Sequence, residues 1–126
     1  MKLFLAVALG GALGALSRSL LSDFVYNLAG KEFPYGTLCV NIVGSFIIGV
    51  LYIVLSDKMN NGALASMLIT GFLGALTTFS TFSLDTVKLL ENGRVVAALA
   101  NVSLNIAACL FAVWIGISLM RMVTIK

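Results

Sequence analysis

Four long stretches without a charged residue constrain the fold of this chain more than any other feature. About 20 apolar residues are needed to cross the roughly 30 Å hydrocarbon core of a bilayer. The stretches contain 15, 24, 26 and 26 residues and cover residues 3–17, 33–56, 59–84 and 95–120. We therefore predict an all-α integral membrane protein, one domain over residues 1–126, with spans at about 3–22, 34–56, 62–84 and 95–120.

The first span is long enough only if it continues past Arg18 to Ser22. A guanidinium there would lie at a membrane interface or in a polar cavity. A cleaved signal peptide is the alternative for this segment, because Lys2 precedes its apolar run. A packed helix is favoured by the glycines in its interior, which are Gly10, Gly11 and Gly14.

The composition argues against two functional classes. Charged residues make up 10% of the chain, whereas soluble globular proteins contain about 25%. The chain has no histidine, and the uncharged stretches offer no carboxylate and no metal-ligand spacing, so an enzymatic function is not expected. The net charge of +3 comes from Lys and Arg near the span ends without a basic cluster, so nucleic-acid binding is not expected.

The third stretch is unusual because its middle is polar. Residues 71–83 read GFLGALTTFSTFS and contain five Ser or Thr hydroxyls and three phenylalanines. Its glycines and β-branched residues disfavour a continuous helix. Inside a membrane, the freed backbone groups need protein or water as partners. We predict that the third helix breaks between Gly71 and Thr78, and we expect the functional site there.

Positive charges give the chain no preferred orientation across the membrane. Lys and Arg usually concentrate on the cytoplasmic side. Here four lie on the side of the termini, Lys2, Lys58, Arg121 and Lys126, and four on the other, Arg18, Lys31, Lys88 and Arg94. The balance is explained either by chance or by insertion in both orientations and assembly as an antiparallel, dual-topology homodimer. Close helix packing, within or between chains, is indicated by the small residues Ala6, Gly10 and Gly14.

Two polar stripes run along the predicted helices. Residues four positions apart form each stripe: Thr37, Asn41 and Ser45 in the second span, and Asn101, Asn105 and Cys109 in the fourth. Amides at membrane depth either hydrogen-bond helices together or line a path for a polar solute. Two stripes that bond to each other would explain the pattern without a path, so the sequence leaves both interpretations open.

Phe79 and Phe82 lie three residues apart just after the predicted break. An aromatic ring has a positive edge, so two rings can solvate an anion without a formal charge. Anion pores usually use Lys or Arg, but none lies near the middle of a predicted span. An anion path in this chain would therefore use ring edges, amides and hydroxyls. Backbone carbonyls freed by the break could bind a small cation such as Na⁺.

Three sequence blocks resemble those of the bacterial fluoride channel family called Fluc or CrcB-like. They are GGALGALSR in the first span, GTLCVNIVGSFIIG in the second and GFLGALTTFSTFS in the third. The resemblance runs along nearly the whole chain, and the three blocks together are specific. It implies a passive, highly selective fluoride channel of the bacterial inner membrane, built as an antiparallel homodimer with two pores. Fluoride trapped in the cell after HF enters and dissociates would leave through it.

The resemblance also implies roles for individual residues. Asn41, Phe79 and Phe82 match pore residues whose amide and ring edges face fluoride, and Gly74 and Thr77 match break positions whose carbonyls hold a central Na⁺ between subunits. The other positions assigned to the fluoride pathway are Arg18 in a vestibule and Thr37, Ser80, Thr81, Asn101 and Asn105. Two residues depart from the family pattern: Cys109 in the polar track, and Asp85 where glutamate is expected.

Two other functions are compatible with four spans. A small multidrug-type transporter would also form a dual-topology dimer, but that class needs a membrane-embedded carboxylate, usually in the first span, and residues 1–21 contain none. A non-transporting assembly subunit would need only its glycine faces. Substitution of Asn41, Phe79 or Phe82 would then lower stability without a specific loss of ion flux.

Overall fold

The computed structural model describes residues 1–56 and 62–124, and every regular element in these ranges is a helix. Helix α1 covers Lys2–Ala29, α2 covers Tyr35–Val54 and α6 covers Val95–Thr124. The third span consists of four pieces: α3 (Ala63–Ala65), a π-helix (Ser66–Leu73), α4 (Gly74–Leu76) and α5 (Phe79–Glu91). Two residues of the charge count, Lys58 and Lys126, lie outside the described ranges.

Four helical segments are long and apolar enough to cross a membrane, namely Lys2–Ala29, Tyr35–Val54, Ala63–Glu91 and Val95–Thr124. The third of these is interrupted between Leu76 and Phe79. The predicted all-α membrane fold, with four spans and a break in the third, is confirmed.

The helices extend beyond the predicted spans. Residues 23–29 and 85–91 lie outside the predicted spans 3–22 and 62–84 but are helical, since α1 runs to Ala29 and α5 to Glu91. Residues 23–29 contain no glycine or proline to end a helix. Gly30 follows the end of α1, and Gly93 lies two residues beyond the end of α5. Both have a positive φ, which glycine adopts readily. Hydropathy identifies only the part of a helix that suits lipid. The helix itself continues until a residue such as glycine interrupts its backbone hydrogen bonding.

Glycines bring α1 into backbone contact with the π-helix. A Cβ at Gly10 would lie 2.1 Å from the Met67 carbonyl oxygen, and a Cβ at Gly14 would lie 2.1 Å from the Phe72 carbonyl oxygen. Gly71 of the π-helix faces α1 in the same way. We call this contact the glycine seam. The predicted stripe of small residues therefore packs within the chain, where close approach replaces the missing hydrophobic driving force.

A second close contact joins α2 to α6. A Cβ at Gly49 would lie 2.4 Å from a backbone oxygen of α6, and one at Gly116 would lie 2.5 Å from a backbone oxygen of α2. Gly44 leaves space on α2 for Thr77, whose methyl carbon would lie 2.3 Å from a Cβ there. This packing holds the break of the third span against α2.

Candidate functional site

The break begins where Thr77 turns the chain into an extended conformation, with φ −79° and ψ 154°. Thr78 is also extended and is the N-cap of α5, because its hydroxyl oxygen accepts the N–H of Thr81 at 3.2 Å. Threonine suits this position since its side chain satisfies a donor that the first turn of a helix leaves unpaired. The local sequence therefore both ends one helix and starts the next.

Asn41 on α2 binds the backbone of the break. Its Oδ1 accepts the Thr78 N–H at 2.8 Å, and its Nδ2 donates to the Thr78 carbonyl oxygen at 3.2 Å. One side-chain amide thus pairs with both backbone groups of a residue that has left the helix. Without it these groups would be unpaired at membrane depth, which is costly.

The two polar stripes meet and bond to each other. Asn41 Nδ2 donates to Asn105 Oδ1 at 3.0 Å, and Asn105 Nδ2 donates to the carbonyl and side-chain oxygens of Asn101 at 2.9 and 3.0 Å. Asn101 Nδ2 then donates to the Thr86 hydroxyl at 2.9 Å, which donates to the Phe82 carbonyl at 2.8 Å. Asn101 is fully buried and Asn105 nearly so. We call this series the amide chain, and it links α2, α5 and α6.

A cavity of about 410 Å³ lies beside the break. The rings of Phe79 and Phe82 form part of its wall, with centroids 5.3 Å apart and planes inclined at 53°. Phe82 is buried, whereas Phe79 is 78% exposed, so the cavity is open on that side. No charged residue of the described ranges lines it, and its polar lining consists of Asn41, Ser45, Thr77, Thr78, Asn105 and Cys109.

The break also frees backbone carbonyls, among them those of Gly74 and Thr77. In a continuous helix the Gly74 carbonyl would accept the Thr78 N–H, but that donor bonds to Asn41. The Thr77 carbonyl would accept the Thr81 N–H, but that donor bonds to the Thr78 hydroxyl. The oxygens of Gly74 and Thr77 are therefore available to a ligand, and both residues line the cavity.

A second cavity, of about 490 Å³, lies at the end of the molecule where α1 and α5 end. Its charged lining consists of Asp23, Lys31, Glu32, Asp85, Lys88 and Arg94. Buried Thr37 donates its hydroxyl to Asp85 Oδ2 at 3.0 Å. The shorter acid at position 85 thus reaches the stripe on α2. We call this space the mouth cavity.

The structure brings some of the predicted site residues together and leaves others apart. Asn41, Phe79, Phe82, Asn105, Gly74 and Thr77 line the cavity at the break. Asn101 lies one hydrogen bond behind Asn105, and Thr37 lies against the mouth cavity. Like Asn101 and Thr37, three further residues line neither cavity: Arg18 on α1, and Ser80 and Thr81 on the exposed first turn of α5.

Sequence reasoning missed two residues of the site, Thr78 and Thr86. The signal for Thr78 was available, because a threonine at the start of a helix is a frequent N-cap. Thr86 carries no such signal. Its role depends on Asn101, which lies 15 residues away in the sequence and on another helix.

Comparison with known proteins identifies a family and several relatives. A family model described as CrcB-like protein, Camphor Resistance (CrcB), matches residues 5–117. The chain is 48% identical over 118 residues to the fluoride-specific ion channel FluC of Hahella chejuensis, covering 93% of each chain. It is 47% identical over 125 residues to the protein of that name in Citrifermentans bemidjiense, covering 96% of this chain and 98% of the relative. Both relatives are named as ion channels and not as enzymes.

Proposed function

The chain belongs to the CrcB-like family, as its three sequence blocks predicted, and from this premise we propose that it is a passive, selective fluoride channel. It is a multi-pass membrane protein with four apolar helices, which suits the bacterial inner membrane. The channel would let cytoplasmic fluoride leave the cell down its electrochemical gradient. Fluoride released when HF enters and dissociates would be the ion exported.

One observation carries this proposal: an amide donor and two tilted phenylalanine rings meet in an uncharged cavity at a helix break. Asn41 supplies N–H groups, and the edges of Phe79 and Phe82 supply positive potential without a formal charge. A cation in the wall would attract any anion, whereas short-range donors in a confined space favour a small anion that accepts strong hydrogen bonds. The hydroxyl of Ser45 adds a further donor to the lining, whereas the hydroxyls of Thr77 and Thr78 already donate to the Leu73 carbonyl and the Thr81 hydroxyl.

We propose that the channel works as an antiparallel homodimer with two pores. The cavity is open beside Phe79, an apolar ring that is 78% exposed. A second copy in the opposite orientation would cover this opening and create two equivalent pathways. The equal numbers of Lys and Arg on the two sides support insertion in both orientations. Chemical cross-linking that yields a pair of chains, together with reporter tags found on both sides of the membrane, would test this assembly.

We also propose a structural Na⁺ at the interface between the two subunits. The oxygens that fit it are the carbonyls of Gly74 and Thr77, whose helical donors are bound elsewhere. Carbonyl oxygens of broken helices are suitable ligands for Na⁺. No group of three or more His, Cys, Asp or Glu that could hold a metal occurs in the described ranges, so backbone oxygens are the ligands to test. A cation there would stabilise the freed carbonyls and hold the broken spans together.

Fluoride efflux from liposomes tests the proposed function directly. Purified protein is reconstituted, an ionophore clears the counter-charge, and external fluoride is followed with an electrode. We expect rapid fluoride release and negligible chloride release in matched vesicles. A folded protein that releases no fluoride, or that releases both halides equally, would contradict the proposal.

A further inference from the structure

Asn41 has no free hydrogen-bond donor in this structure. A backbone N–H can only donate, so the Thr78 N–H fixes which end of the Asn41 amide carries oxygen. Its two Nδ2 hydrogens then bond to the Thr78 carbonyl at 3.2 Å and to Asn105 Oδ1 at 3.0 Å. An anion can therefore obtain a hydrogen bond from Asn41 only by displacing one of these oxygens.

Asn105 is the partner that can move. The Thr78 carbonyl belongs to a backbone segment held by the N-cap and by both ends of the Asn41 amide. Asn105 contributes only a side chain, and it lines the same cavity as Asn41. Displacing its oxygen costs one neutral hydrogen bond and needs no change in the backbone.

The orientation of Asn105 is fixed from behind. Its Nδ2 donates to the backbone carbonyl of Asn101, an oxygen that can only accept. Asn105 must therefore present oxygen, and not N–H, to Asn41. Because Asn101 is fully buried and bonds onward to Thr86, the same orientation is restored whenever the bond to Asn41 reforms.

We propose that Asn105 is a latch on the Asn41 donor: permeating fluoride displaces Asn105 Oδ1 from Asn41 Nδ2, and the amide oxygen returns when the ion leaves. This proposal rests on the proposed fluoride channel and names a positioning residue within its pathway. Hydrogen bonds to an ionised acceptor are about twice as strong as neutral ones, so the anion competes favourably with the amide oxygen. Between ions, the latch keeps a donor satisfied where water is scarce.

The variant Asn105→Ser separates a latch from a merely structural residue. A serine on a helix can donate its hydroxyl to the carbonyl four residues earlier, which here is that of Asn101. That carbonyl stays paired, Asn101 Oδ1 loses the donor that Asn105 supplied, and the short side chain no longer reaches Asn41. We expect the fluoride concentration that gives half-maximal efflux to fall roughly two- to tenfold, since the ion no longer displaces a neutral hydrogen bond.

The variant Asn105→Asp is almost the same size and has the opposite expected effect. When ionised, its carboxylate is a charged acceptor for Asn41 and cannot donate to Asn101. Because burial favours the protonated form, efflux from this variant is measured at alkaline pH. We expect the half-saturating concentration to rise roughly tenfold or more, because the bond to be displaced is now charge-assisted. A structural role alone predicts impaired efflux in both variants.

Ser103→Ala, on an exposed part of the same helix outside the cavity, is the control and should match the wild type.

The outcomes separate the latch from the channel. Suppose that the wild-type protein releases fluoride and that Asn105→Ser has the same or a higher half-saturating fluoride concentration. This result would overturn the latch and leave the fluoride channel intact. Wild-type vesicles without fluoride efflux would overturn both. Should Asn105→Ser fail to fold, NMR of asparagine side-chain amides in the wild type decides: fluoride should shift the resonances of Asn41 and Asn105 together, and a shift of Asn41 alone would overturn the latch.

Discussion

The two halves of the third span are attached to the protein by different kinds of contact. The π-helix is attached to α1 through the glycine seam, where backbone meets backbone and, in the described ranges, no side-chain hydrogen bond joins the two. The break beyond it is attached to α2 by the amide of Asn41, and α5 is attached to α6 by the amide of Asn101, beside a cavity. Close backbone packing has one arrangement, whereas a hydrogen-bonded amide can exchange its partner. The proposed ion path lies on the side where exchange is available.

The largest expected effect comes from filling the glycine seam. Gly14→Leu places a branched side chain where even a Cβ would meet the Phe72 carbonyl at 2.1 Å. Overpacking by a few methylenes typically costs about 1–3 kcal/mol, and here the clash is with backbone that cannot rotate away. We expect little or no monodisperse protein by size-exclusion chromatography in detergent. Ala15 is the exposed neighbour of Gly14, so Ala15→Leu should behave as the wild type. Equal yields of monodisperse protein from Gly14→Leu and Ala15→Leu would contradict the glycine seam.

On the cavity side, Asn41→Asp should strongly reduce fluoride flux while the chain still folds. The carboxylate cannot donate to Thr78, Asn105 or the ion, and its charge repels an anion. We expect fluoride efflux to fall by roughly a hundredfold, the value of a hydrogen bond to a charged group. Asn27→Asp, an exposed site on α1, makes the same chemical change and should conduct normally. A folded Asn41→Asp variant with normal efflux would exclude Asn41 from the pathway.

A smaller effect is expected from removing the ring edges. Phe79→Ile and Phe82→Ile keep an apolar side chain but lose the positive edge, so each should lower fluoride efflux about tenfold or less. Phe111→Ile is the matched control, because this exposed ring on α6 lies outside the cavity at the break. Normal efflux in both cavity variants would contradict edge solvation. Loss of stability without a specific loss of flux would favour an assembly subunit.

The smallest expected effect is on the N-cap of α5. Thr78→Ala removes the oxygen that accepts the Thr81 N–H but leaves the backbone groups that bind Asn41. We expect the free energy of unfolding, measured by SDS titration, to fall by about 1 kcal/mol. Ser83→Ala removes a hydroxyl that bonds only to the Phe79 carbonyl and is the control. An unchanged midpoint in Thr78→Ala would show that the Asn41 pairing alone holds the break.

Residue type was enough to select several residues that line the cavity at the break. The sequence singled out Asn41 as an amide at membrane depth, and Phe79 and Phe82 as aromatic rings next to a predicted helix break. The cavity brings all three together. The positions of Ser80 and Thr81 were not predictable in this way. A hydroxyl on the first turn of a helix can face a cavity or bond locally, and these two lie around the Thr78 hydroxyl instead.

By itself the sequence determined the membrane fold, the number of spans and the interruption of the third. These follow from local chemistry, because hydrocarbon excludes charge and glycine with β-branched residues weakens a helix at that point. Only the tertiary structure decided which donors are free and where the small residues pack. Asn41 finds its partners 37 and 64 residues away, at Thr78 and Asn105. Hydrogen-bond partners at such separations depend on how helices are arranged, and no local pattern contains that information.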